Sequence, residues 1–196
     1  QKKTPNSNNP VTRRGAMLTG GLVLAGLATG LVGLPAQAKP IVEIRMRSLE
    51  KGAHVGFDPV GLLVDVGTTI RWIVEADVHT TTAYHPTNDA HPLRIPDGAE
   101  PWNSDYLVNP GDSFEAMLIV EGVYDYFCAP HELAGMVGRI IVDRPTGPGS
   151  RPFDYFKGDP AAADWQSVPP AARLAFPSLE EIMQKRRVSW PSSTHG

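Results

Sequence analysis

The chain has one cysteine in 196 residues, and it sits in the stretch "YDYFCAPHELAGMVGRI", Tyr124 to Ile140. His131 follows Cys128 by three residues, and Met136 follows His131 by five. A thiolate, an imidazole and a thioether together suit a copper ion that changes between its two oxidation states. A fourth donor has to come from elsewhere. His79, in "IRWIVEADVHTTT", lies just past a strand-like run from Ile70 to Glu75. His85 and His91, in "YHPTNDAHP", compete for the role. Position at a strand end favours His79, which leaves His85 and His91 as solvated loop residues or at most a weak accessory metal site. A single cysteine excludes an internal disulfide framework and zinc sites built from two or four cysteines of one chain.

Donors that come from distant parts of the chain need a rigid frame. Cys128 ends the run "GVYDYFC", in which alternation puts it on one face with Tyr124 and Tyr126. Pro130 then takes the chain out of any strand ladder, so His131 and Met136 fall on the connection to "MVGRIIVD". Upstream, "IVEIRMRS" alternates, with Val42, Ile44 and Met46 on one face and Glu43, Arg45 and Arg47 on the other. "LLVDVGTTIRWIVE" reads as two short strands around Gly67, and "SFEAMLIV" as another. Thr80 to Ser104 reads as a long polar loop with room for a short helix. Many short strands separated by turn signals predict an antiparallel sandwich or barrel.

The two ends differ from this middle. Residues 1–38 contain no Asp or Glu, carry Lys2, Lys3, Arg13 and Arg14, and continue into an apolar run from Gly15 to Leu34 that ends in Ala36-Gln37-Ala38. That order describes an export signal of twin-arginine type, cleaved before Lys39; a membrane anchor is the competing reading. Residues 144–196 open on the proline-glycine segment "RPTGPGSRP", a predicted linker. Further on, "SLEEIMQKRRV" predicts a short helix, capped by Ser178 with Glu181 and ending in Lys185, Arg186 and Arg187. The expected organisation is therefore 1–38 signal, 39–143 strand domain, and 144–196 linker and extension. Between residues 41 and 143, six Lys or Arg face sixteen Asp or Glu, a net of -10. The segment from 144 has seven against five, a net of +2. Such an acidic domain argues against a nucleic-acid partner and steers a basic protein partner.

The pattern Cys-x₂-His-x₄-Met, with a histidine some fifty residues upstream, resembles the cupredoxins. The loop spacing is similar to that of plastocyanin and pseudoazurin rather than azurin or amicyanin. Pro130 before His131, and the lead-in Gly122-x-Tyr124-x-Tyr126-x-Cys128, agree with that group. The resemblance covers roughly residues 41–143 and not the extension. It implies an all-β, Greek-key antiparallel β-sandwich with one mononuclear type 1 copper ion. His79, Cys128 and His131 would be its trigonal ligands, Met136 the long axial one, and the carbonyl of Val78 a distant fifth contact. Thr80 stands where the family often has an asparagine that bonds across to the cysteine loop.

The function implied is non-enzymatic shuttling of single electrons between redox proteins. The partner would be a basic c-type cytochrome or a copper or haem enzyme, approached through His131 and the small apolar surface of Ala129, Pro130, Leu133 and Ala134. Two alternatives stand beside it. An electron-delivering subunit of a copper redox enzyme would need a partner for its catalytic copper, because the chain contains no His-x-His. Copper storage or delivery fits less well with five methionines scattered along the chain. An export signal places the protein in the periplasm or on the outer face of the cytoplasmic membrane, with membrane contact only through an uncleaved signal.

Overall fold

Strands with one wet face alternate in burial, and strands covered on both faces do not. Both kinds occur here, in a computed structural model that describes residues 41–190. The export segment expected at 1–38 lies outside the described residues.

The first sheet holds β1 (Ile41–Leu49), β2 (His54–Asp58), β4 (Thr68–Val74) and β6 (Ser113–Leu118), in the order β2-β1-β4-β6. β4 alternates strictly between buried and partly exposed positions. Ile70, Trp72 and Val74 point into the core, and Arg71 joins Glu43 and Glu115 on the outer face. The second sheet holds β3 (Gly61–Val64), β5 (Thr82–Ala83), β7 (Gly122–Phe127), β8 (Val137–Val142) and β9 (Arg187–Val188), in the order β5-β7-β8-β3-β9. The two inner faces share one core, which includes Ile44, Met46, Trp72, Tyr124, Tyr126, Cys128, Met136 and Ile140. Tyr126 lies across Gly138, where any Cβ would run into its ring.

The expected sandwich is present, but its pairing is mixed rather than wholly antiparallel. β1 runs parallel to β4, and β3 runs parallel to β8. The chain visits the opposite sheet between each of these partners, and a parallel pair requires such a crossover.

β7 and β8 are buried at every position. Their inner faces meet the first sheet; their outer faces are covered by the segment after residue 143. That segment carries α1 (Pro170–Ala175), which the sequence did not suggest, and α2 (Leu179–Lys185), capped by Ser178 Oγ accepting from Glu181 N at 3.0 Å. Val123 and Ile141 pack with Ile182 of α2. Phe127 and Val137 pack with Val168 and with Ala172 of α1. Between these clusters, the Asp125 carboxylate accepts from Arg94 Nε at 2.7 Å, Arg139 Nε at 2.7 Å and Arg139 Nη2 at 2.9 Å.

Two buried guanidiniums around one carboxylate leave a surplus cation, which is costly unless its remaining N–H groups find acceptors. The extension supplies them. Arg94 donates to the carbonyls of Gly149 at 2.7 Å and Arg151 at 3.2 Å, and Arg139 to that of Pro177 at 3.0 Å. Arg94 also lies 4.3 Å from the centre of the Phe153 ring, and Arg139 4.8 Å from that of Phe176. The segment read as a linker is thus the start of a third layer. It lacks hydrophobic periodicity because backbone carbonyls and scattered aromatics make its contacts.

Candidate metal centre

Two chain segments meet at one end of the sandwich. His79 lies in the segment after β4, five residues past Val74, and is fixed by an isolated bridge to Leu107: His79 N donates to Leu107 O at 3.1 Å, and Leu107 N donates back at 2.9 Å. Cys128 follows β7, and the residues from there to Met136 close on themselves. Cys128 N donates to Met136 O at 3.0 Å, His131 N to Cys128 O at 3.0 Å, and Met136 N to His131 O at 3.1 Å. Pro130 sits in the first turn of a 3₁₀ segment, Ala129–Ala134, and Gly135 ends it with φ of 83°, a left-handed conformation that favours glycine. The turn presents His131 at the partly exposed rim, while Met136 is fully buried behind it.

The donors converge. Cys128 Sγ lies 3.4 Å from His131 Nδ1 and 3.7 Å from His79 Nδ1, and one donor atom from each of the three residues lies within 4.8 Å of the others. Metal–nitrogen bonds of about 2.0 Å and metal–sulfur bonds of about 2.3 Å, at trigonal or tetrahedral angles, put such donors roughly 3.5–3.7 Å apart. Both nitrogen–sulfur separations match donors to one shared ion.

Their protonation suits the same role. Burial first, then the nearby His131, brings His79 down to about 4, so its imidazole is neutral with a free lone pair. Burial also lowers His131. Burial pushes the Cys128 thiol up to about 11. A thiolate there needs a cation beside it, and metal binding would release that proton.

A surrounding shell holds these atoms in place. Thr80 N donates to Cys128 Sγ at 3.3 Å, and Thr80 Oγ1 accepts from Ala129 N at 2.7 Å. Thr80 thus links the His79 segment across to the cysteine loop. Ser48 Oγ lies 3.2 Å from His79 Nε2. The sequence reading missed Ser48, although a signal was there: it continues the inward face of Val42, Ile44 and Met46 as a polar residue at the strand end.

His85 and His91 are not part of the cluster. His85 Nδ1 pairs with Thr87 Oγ1 at 2.8 Å. His91 corrects the expectation of a solvated loop residue. It is buried, stacks on Phe127 at 4.3 Å between ring centres, and holds Asn88 O at 2.7 Å and Glu132 Oε2 at 3.2 Å with its two nitrogens. Glu132 also accepts from Tyr84 Oη at 2.6 Å.

Residues 44–143 match the family model for copper binding proteins, plastocyanin/azurin family. Chloroplastic plastocyanin of Tetradesmus obliquus is 33% identical over 127 residues, covering 62% of this chain and 77% of that protein. Plastocyanin of Synechococcus sp. (strain JA-2-3B'a(2-13)) is 30% identical over 129 residues, covering 62% of this chain and 87% of that one. A solved pseudoazurin from Sinorhizobium meliltoi aligns with a TM-score of 0.49 at 23% identity, covering 69% of this chain and 89% of that one. The matched residues carry every donor described above and the strands that hold them. The chain belongs to the plastocyanin/azurin family of copper-binding electron-transfer proteins.

Proposed function

We propose that this protein shuttles single electrons between redox proteins through one type 1 copper ion held by His79, Cys128, His131 and Met136. The convergence of one donor atom each from His79, Cys128 and His131 within 4.8 Å carries the reading. Copper, when bound, supplies a one-electron change between Cu(I) and Cu(II). The chain's part is to hold both states in one geometry. The bridge at His79–Leu107, the closed turn from Cys128 to Met136 and the bonds from Thr80 all resist movement of the donors.

His131, on the partly exposed rim beside the exposed Leu133, is the electron's way in and out. The small apolar surface there suits brief docking, and the net charge of -10 between residues 41 and 143 steers a basic partner such as a c-type cytochrome or a copper or haem enzyme. The basic and apolar N-terminal segment directs the protein out of the cytoplasm, to the periplasm or the outer membrane face. Among the described residues, no helix is long and apolar enough to cross a membrane.

The test is a redox titration of the copper-loaded protein with small one-electron reagents. A carrier takes up and returns one electron per copper over repeated cycles without losing the metal. Release of copper on reduction would instead mark a storage or delivery protein.

A further inference from the structure

The outer face of the copper strands is where this chain departs from a bare two-layer sandwich. The residues at issue flank the ligand turn directly: Phe127 precedes Cys128, and Val137 follows Met136. Both are buried, and they pack in one cluster with Tyr84, Val168 and Ala172. Val168 and Ala172 belong to the extension. α1 also backs the turn itself: a Cβ on Gly135 would stand 3.3 Å from both Ala171 O and Ala175 Cβ. The same layer continues to the far end of β7 and β8, where Ile182 packs on Val123 and Ile141, five residues back from Cys128 and five on from Met136.

We propose that the extension positions the copper site: Val168 and Ala172 grip the two ends of the ligand turn through Phe127 and Val137 and so fix the donor geometry. This rests on reading Cys128–Met136 as the copper loop. The physical reason is close packing. A turn anchored at its two ends by a filled apolar cluster moves only if that cluster opens. A gap there frees the ends of the turn, and the separation of Cys128, His131 and Met136 becomes variable between the two oxidation states. Ile182 belongs to the same layer but touches neither end of the turn, so it serves as an internal control.

The experiment compares Val168→Ala and the milder Ala172→Gly with Ile182→Ala, all in the full chain. Thermal unfolding measures what each costs in stability; the Ile182 change removes more buried carbon than the Val168 change. Two further readouts report the turn. One is amide hydrogen exchange at Cys128, His131, Gly135 and Met136 in the copper-free protein. The other is the reduction potential and electron spin resonance spectrum of the copper-loaded protein. Positioning predicts several-fold faster exchange, a shifted potential and broadened copper hyperfine lines for the Val168 and Ala172 variants, with wild-type values for Ile182→Ala. Equal effects from all three, or none from any, would overturn it and leave the extension as a stabilising layer alone. Exchange in the copper-free protein still decides the matter if the electron-carrier reading fails.

Discussion

Ser48 Oγ lies 3.2 Å from Nε2 of His79, and Nδ1 of the same ring lies 3.7 Å from Cys128 Sγ. A neutral imidazole carries one proton. If Nε2–H donates to Ser48, the lone pair is on Nδ1, facing the sulfur. With Ser48 Oγ as acceptor, the ring is held in the tautomer that can bind metal. Ser48→Ala should lower copper affinity by about 10–100-fold, the usual cost of losing such a partner. Competition with a chelator of known affinity measures this, and Ser48→Thr should restore most of the loss. Unchanged affinity in Ser48→Ala would mean that other contacts, such as the hydrogen bond to the Ala76 backbone, hold the ring.

Met136 is fully buried on the turn after Cys128, and its proposed role as weak axial donor gives a graded outcome. Met136→Leu keeps the volume and removes the sulfur. Copper and colour should remain while the reduction potential rises, because a lost sulfur donor disfavours Cu(II) relative to Cu(I). Voltammetry of the two proteins checks the sign. An unchanged potential would show that the thioether is core filling.

His91 predicts a pH effect. Burial pulls its pKa down, but the Glu132 carboxylate and the Asn88 carbonyl outweigh burial and raise it above the ordinary 6.5. The folded state thus holds this proton more tightly than the unfolded chain does. The stabilisation is complete below pH 6.5 and is lost as pH rises through the folded-state pKa. His91→Gln should remove that component. Denaturant titrations at several pH values should show wild type losing stability relative to the variant above pH 6.5. Parallel curves would contradict the pairing.

Asp125 holds the third layer to the sandwich. Asp125→Asn leaves Arg94 and Arg139 buried without their counter-charge and should cost about 3–5 kcal/mol in denaturant unfolding. A loss under about 1 kcal/mol, the range of exposed pairs, would show that water reaches the triad.

How much of this the sequence disclosed follows from how local each signal is. Cys128, His131 and Met136 lie within nine residues, so their spacing alone exposed them. Alternation placed Tyr124, Tyr126 and Cys128 on one face, and all three are in the core. The other face of the same strand was opaque. Asp125 reaches the extension only through Arg94 and Arg139, which donate to Gly149 and Pro177, and Phe127 packs with Ala172, all many residues away in a segment without hydrophobic periodicity. The same distance hid Glu132 from His91, which left that histidine looking like a solvated loop residue. Strand direction was equally hidden, because alternation reads the same in parallel and antiparallel pairs.

The central claim is a copper ion bound by the Cys128 thiolate, and one visible absorption spectrum tests it most directly. The oxidised, copper-loaded protein should show an intense sulfur-to-copper charge-transfer band. Cys128→Ser should abolish it, because the chain contains no other thiol. A colourless copper-loaded wild type, or a Cys128→Ser variant that keeps the band, would contradict the account.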